Sequence, residues 1–309
     1  MSNDAPVPVS GRQTTISADG YRAVVSSVGA SLRVLEHEGR PLVSSFPEDS
    51  LRPGYRGAVL VPWPNRVVDG RYELEGQEHR LALTEPARGH ALHGLGTWAD
   101  WETVDRSESS VTLGVTIPPQ PGYPFRVRSE VTYALSGDGL RWSVRSTNLG
   151  TGLAPYGTGP HPYLVAGPEL VDEWTVTIPA ARVLTVTERL APLGLADVAT
   201  YDDGRLDFRR PRVLGDTFID HAFTGCESDA AGRSRVEVRS PSGTGVEMEW
   251  DGASPWLQVH TPDGPGDLWR TGLAVEPMTC PPDAFNSRQD VVWLEPGASH
   301  AVGWTIRAL

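Results

Sequence analysis

The sequence predicts an all-β protein: one large β-sandwich over residues 13–309 behind a flexible N-terminal tail at 1–12. Three observations carry the prediction. Apolar and polar residues alternate in many short runs, the two-residue period of a half-buried strand. Proline and glycine turns separate the runs at regular intervals, which is the spacing of a sandwich. No stretch keeps a helical period for long, and no low-complexity linker or strong internal repeat divides the chain.

Taken in order, Tyr21-Arg-Ala-Val-Val and Ser31-Leu-Arg-Val-Leu, with Gly29 between them, form a first hairpin. Residues 36–57 hold Gly39, Pro41, Pro47, Pro53 and Gly54 and read as loop. The apolar run from Ala58 stops at Pro62, and Trp63 stands between two prolines. Proline restricts its predecessor as well as itself, so the turn Trp63-Pro-Asn-Arg66 is stiff. It presents an aromatic plate, an amide and a guanidinium, groups that bind the faces and hydroxyls of sugars. A purely structural turn, with Arg66 in a salt bridge, accounts for the same residues.

Tyr72, Leu74, Leu81 and Leu83 alternate around a turn at Gly76. His90 and His93 then lie three apart among glycines. A metal pair needs a third ligand and a rigid element, whereas glycines let a ligand approach the backbone. His93 is the site candidate and His90 a bystander; two hydrogen-bonded loop histidines are the alternative. A meander follows: Val111, Leu113, Val115 and Ile117; Val131, Tyr133 and Leu135; Leu140, Trp142 and Val144, with a hairpin turn at Gly137-Asp-Gly139.

His161 sits between two prolines after a glycine run. A histidine fixed in this way suits proton transfer, since its ordinary pKa of about 6.5 is easily biased. Further strands hold Trp174, Val176 and Ile178, then Val183, Leu184 and Val186. Asp220 follows a short apolar segment and is either a sugar-hydroxyl acceptor or a turn aspartate. Val236 and Val238 pair with Val246, Met248 and Trp250 around residues 241–245. The strand 256–260 runs into a glycine-rich loop to Asp267.

In the stretch 273–278, alternation puts Leu273 and Val275 on one face, and Ala274 and Glu276 on the other. Glu276 therefore stands over small neighbours with open space around it, a place for a general base. An edge-strand glutamate facing water is the plainer alternative. Pro277 is expected to end the strand's pairing. Residues 291–294 and 301–306 close the sheet around Glu295-Pro-Gly297.

Composition excludes several functions. The net charge is -12, which argues against nucleic-acid binding. All 27 basic residues are arginine, so Schiff-base, pyridoxal-lysine and phosphate-loop chemistry are absent. Two cysteines, Cys226 and Cys280, make neither a disulfide scaffold nor a zinc thiolate cluster. Residues 1–10 lack the apolar core of a signal peptide, and no apolar run reaches membrane-spanning length. The expectation is a soluble cytoplasmic protein with reduced thiols.

Asn65-Arg66, Leu92-His93-Gly94, Gly159-Pro-His161-Pro-Tyr163, Asp220 and Glu276-Pro277, in that order and spacing, resemble the aldose 1-epimerase (galactose mutarotase) family. The similarity runs from the first hairpin to the C-terminus. It implies an antiparallel β-supersandwich with an open sugar cleft, a small-molecule sugar substrate, no cofactor and no metal. By the same resemblance Glu276 is the general base and His161 the general acid. His93 assists at the reacting end, and Arg66, following Asn65, and Asp220 bind sugar hydroxyls. Apart from the resemblance, the aromatic plate of Trp63 is the candidate apolar wall of the binding set. His221 and Ala222 depart from the family pattern after the aspartate, which leaves the preferred sugar open. Three other readings stay open: a non-catalytic sugar-binding protein, a metal enzyme using His93, His161 and Glu276, and an epimerase of sugar phosphates drawing on Arg52, Arg56, Arg71 or Arg88. The assembly is expected to be a monomer or a homodimer.

Overall fold

The computed structural model describes residues 6–263 and 269–309. Part of the expected tail, residues 1–5, and part of the loop expected up to Asp267 lie outside the described residues. The tail's last residues are tied down. The Ser10 N–H donates to the Glu48 carbonyl at 2.9 Å, and the Arg12 N–H to the Ser27 hydroxyl at 2.9 Å.

Strand dominates, as the alternation predicts. Among the described residues the one α-helix is the four-residue Ala284–Ser287. The largest sheet has nine strands, and its centre is built from Val127–Ser136, Gly139–Asn148 and Ser299–Ala308. Their pairings are antiparallel. The inward positions Val131, Tyr133, Leu140, Trp142, Val144 and Trp304 are buried, as the two-residue period requires. A six-stranded antiparallel sheet runs in the order Tyr163–Leu164, Leu273–Met278, Trp256–His260, Asp220–Cys226, Ala180–Val186 and Pro192–Asp197. Phe223, Leu257, Val259, Leu273 and Val275 of this sheet share one continuous apolar core with the inward residues of the nine-stranded sheet. Two sheets joined through their inner faces form a sandwich.

Three expectations change. Residues 292–294 do not pair with the C-terminal strand. Val292–Leu294 pairs with Ala154–Tyr156, while Ser299–Ala308 enters the middle of the large sheet, between Gly139–Asn148 and Gly245–Asp251. Pro277 does not end its strand, because Leu257 and Trp256 pair with Pro277 and Met278. The Val275 and Thr279 amides donate to the Pro162 and Thr158 carbonyls on the opposite side. The donor that proline lacks falls on that side too, so the ladder to Trp256–His260 loses nothing.

Trp63 is the third correction. It is 3% exposed, and its ring packs against Tyr123 and Phe285 at centroid distances of 6.2 and 5.7 Å. The plate is a core residue, not a sugar wall. Asn65 and Arg66, not Trp63, line the cavity. Truncation of a buried tryptophan costs about 3–5 kcal/mol, and Trp63→Ala is expected to lose that much stability in denaturant unfolding. A loss below about 1 kcal/mol would return Trp63 to the surface.

Candidate active site

The six-stranded sheet turns one face to the core and the other to a cavity of about 200 Å³. Register decides which side chains meet there. Asp220 lies opposite His260, His260 opposite Ala274, and Ala274 opposite Tyr163; in the next row Gln258 lies opposite Glu276. Directly opposed residues share a face, so Asp220, Gln258, His260, Glu276 and Tyr163 project together. Glu276 does not stand in open space. It is 1% exposed, roofed by the loops that bring in the remaining residues.

Those loops are pinned by very short ladders. Gly159–Pro160 pairs with Val59–Leu60, the His161 N–H donates to the Ala58 carbonyl at 3.1 Å, and the His161 carbonyl accepts from Gly57 at 2.7 Å. The two prolines flanking His161 leave this backbone a single course. Arg66–Val67 pairs with Ala91–Leu92, and the His93 N–H donates to the Asn65 carbonyl at 2.8 Å. Asn65 and His93 are both left-handed, with φ of 52° and 61°; asparagine and histidine are among the residues that tolerate this best. Gly94 follows with φ 75°, and a Cβ there would sit 2.1 Å from the Val61 carbonyl oxygen. Only glycine lets the His93 loop close on Val61.

Where the sheet and the loops meet, His161 Nε2 lies 3.4 Å from Glu276 Oε1. The His93 and His161 rings cross edge to face with centroids 5.0 Å apart. Arg66 is held by Glu85 in a two-point pair, Nε to Oε2 at 2.7 Å and Nη2 to Oε1 at 3.0 Å, while its Nη1 donates to Asn65 Oδ1 at 3.3 Å. Its outer edge approaches Asp220 Oδ2 at 3.9 Å. Asp220 accepts from the Gln258 amide at 2.7 Å.

Burial sets the charge state. It pushes the Glu276 carboxyl well above the usual carboxylate range, reinforced by Asp220 and opposed by Arg66. It pulls His161 down to about 3, with His260 and the arginines adding to the effect. His93 is also pulled well below its ordinary value, by burial first and by His161 next. A charge buried in low dielectric is disfavoured, so burial favours the protonated carboxyl of Glu276 and the neutral imidazole of His161. That direction runs against the expectation of a protonated His161.

Six of the seven expected site residues come together on the cavity wall: Glu276, His161, His93, Arg66, Asp220 and Asn65. Trp63 does not. His90 is buried apart from them, its Nδ1 accepting from Asp69 N–H and its Nε2 donating to the Arg189 carbonyl at 2.8 Å. Tyr55, Glu85, Gln258 and His260 also line the cavity and escape a sequence reading. Gln258 and His260 leave a trace: they are the polar alternates in Trp256-Leu-Gln-Val-His260. Tyr55 and Glu85 sit in loops, where no period marks a side. Of the arginines considered for phosphate, Arg52 and Arg56 are buried and spent on backbone carbonyls, and Arg71 lies exposed on the hairpin strand Arg71–Leu74. Arg88 alone of the four lines the cavity, paired with Glu85 at 2.8 Å. Among the described residues, no group of three His, Cys, Asp or Glu side chains is placed to hold a metal ion.

Known proteins resemble this chain over nearly its whole length. The chain is 37% identical over 298 residues to the uncharacterized protein YihR of Escherichia coli (strain K12), covering 96% of this chain and 93% of that protein. It is 26% identical to the galactose mutarotase of Bos taurus, covering 92% and 90% of the two chains. The solved galactose 1-epimerase of Lactobacillus acidophilus NCFM superposes with a TM-score of 0.79 at 20% identity, over 96% of this chain and 94% of that one, and so shares the fold. The family profile named Aldose 1-epimerase matches residues 12–307. By fold, by sequence and over nearly its whole length, the chain belongs to the aldose 1-epimerase family.

Proposed function

We propose that the protein interconverts the α and β anomers of a free aldohexose by acid–base ring opening and closure. The observation that carries this reading is the 3.4 Å contact between Glu276 and His161, both buried, on the wall of a cavity that also holds Arg66 and Asp220. The cavity is smaller than the roughly 300–1,000 Å³ typical of drug-sized ligands, and a monosaccharide suits it.

The chemistry needs one proton accepted and one donated at two oxygens that share a carbon, the anomeric hydroxyl and the ring oxygen. A touching acid–base pair can address both. Transfer of the shared proton from Glu276 to His161 gives a carboxylate beside an imidazolium. Glu276 then takes the C1 hydroxyl proton as His161 protonates the ring oxygen, and the C1–O5 bond breaks. C1 becomes an aldehyde carbon, rotates about C1–C2, and the same two groups in reverse close the ring on the other face. Each positioned acid or base contributes roughly 10²–10⁴-fold. Neutral His93 beside His161 can donate to the oxygen on which charge develops. Arg66, fixed by Glu85, and Asp220, fixed by Gln258, are pre-set to bind hydroxyl pairs without rearranging.

Polarimetry on fresh α-D-galactose and α-D-glucose is expected to show equilibration faster than buffer alone; no acceleration with any aldohexose would sink the proposal. Glu276→Gln and His161→Gln are each expected to lower the rate by roughly 10²–10⁴-fold with an unchanged far-UV spectrum. Either variant at full activity removes that residue from the mechanism. The pH profile gives a separate test. Activity requires one proton on the pair. A second proton enters only when His161 ionises, and burial has lowered that value to about 3. The last proton leaves only when Glu276 ionises, and burial has raised that value. After correction for the buffer rate, kcat/KM should therefore stay level as pH falls through 6.5, the ordinary histidine value. An acid limb centred near 6.5 would contradict the assignment.

A further inference from the structure

Trp63 leaves the cavity without the aromatic plate that the sequence offers, and a different ring stands in its place. Tyr55 lines the cavity from the loop side, half-buried, its centroid 4.7 Å from that of His93 and 6.2 Å from that of His161. Its backbone is left-handed, φ 54°, which bulky residues avoid. Such strain persists only where the surroundings over-determine it.

Here they do, through two buried arginines. On one side of the turn Pro53–Tyr55, Arg52 donates to the Val28 and Thr97 carbonyls at 3.0 and 2.6 Å. On the other, Arg56 donates to the Ser45 carbonyl at 3.1 Å. The Tyr163 hydroxyl donates to the Gly54 carbonyl at 3.1 Å, and the Ala58 N–H to the Tyr55 carbonyl at 3.0 Å. Burying two guanidiniums is costly, and desolvation draws Arg52 down to about 10. Yet none of the three turn residues is itself buried, so the turn adds little to the core. What the two arginines secure is the position of Tyr55.

Two other rings stand near the cavity. Tyr163 is stacked on His161 with centroids 5.4 Å apart, and the Arg56 guanidinium lies 5.3 Å from its ring centre. Trp98, 49% exposed, stands 5.9 Å from Tyr55 and carries Arg52 at 4.5 Å from its own ring centre. It extends the aromatic surface outward from the cavity.

We propose that Tyr55 is the aromatic platform of the sugar site, its ring packed on the apolar C–H face of the pyranose, with Trp98 backing it at the rim. The inference rests on the sugar-converting reading above. A pyranose has hydroxyls around its edge and C–H groups on its faces. Arg66 and Asp220 suit the edge, and Tyr55 is the available apolar surface for a face.

Titration with 1,5-anhydro-D-galactitol and 1,5-anhydro-D-glucitol separates the two ideas. These ligands keep the pyranose ring but lack the anomeric hydroxyl, so they bind without being turned over. Tyr55→Leu keeps bulk and backbone cost but loses the π face, and is expected to weaken binding about tenfold. Trp98→Leu is expected to weaken it about threefold. Tyr55→Phe, which keeps the ring, should recover most of the affinity. In turnover, Tyr55→Leu should raise KM with kcat largely kept; a role exerted only through His93 would lower kcat instead and overturn the platform. Affinity of Tyr55→Leu within about twofold of the unaltered protein overturns it as well, even if anomerisation is real. Binding of neither anhydro-sugar by the unaltered protein removes the sugar site and the platform together.

Discussion

The molecule depends on one contact held out of water: a carboxyl and an imidazole, far apart in the chain, pressed together at 3.4 Å under nearly complete burial. Removing ionisable groups from water costs several kcal/mol each unless they neutralise or pair. Here burial favours the neutral forms, raising the Glu276 carboxyl and lowering His161. Much of the surrounding architecture maintains that arrangement. Glu276 is fixed by the ladder to Trp256–His260, and His161 by two prolines and its bonds to Ala58 and Gly57. The stiffest parts of both elements converge where proton transfer demands the tightest placement.

The strain around the cavity fits the same picture. Tyr55, Asn65 and His93 all adopt left-handed backbone on the roof. Each position has a cost, and each is compensated nearby: by buried Arg52 and Arg56, by the Arg66–Glu85 pair, and by the close approach of Gly94 to Val61. Conformational strain of this kind gathers at sites whose geometry is fixed in advance. The sheet beneath supplies its side chains through register.

Register explains what the sequence makes legible. Alternation in Val131-Thr-Tyr-Ala-Leu135 and Leu140-Arg-Trp-Ser-Val144 marks strands because one face is buried and the other wet. The same parity assigns Leu273 and Val275 to the core and Glu276 to the other face. Glu102–Arg106 shows no alternation because all five residues are exposed at the edge of the sheet, and Pro192–Asp197 is mostly exposed for the same reason. His161, His93 and Arg66 are marked by the prolines and glycines that fix them. Trp63 misleads, since two prolines stiffen its turn whichever way the ring points, and only packing against Tyr123 and Phe285 settles the direction. Glu85 and Tyr55 leave no signal, because a loop has no period, and Arg66 and His93, which they meet in the roof, come from other loops. The direction in which burial biases Glu276 and His161 is equally invisible in sequence.

If Glu276 and His161 work as one proton-sharing unit, their contributions to rate cannot be independent. A double-mutant cycle in anomerisation, comparing Glu276→Gln, His161→Gln and the double variant, tests this directly. The double variant is expected to lose about as much rate as the more damaged single variant, since removing either partner already disables the pair. Rate losses that multiply, each residue contributing its full factor without the other, would contradict it.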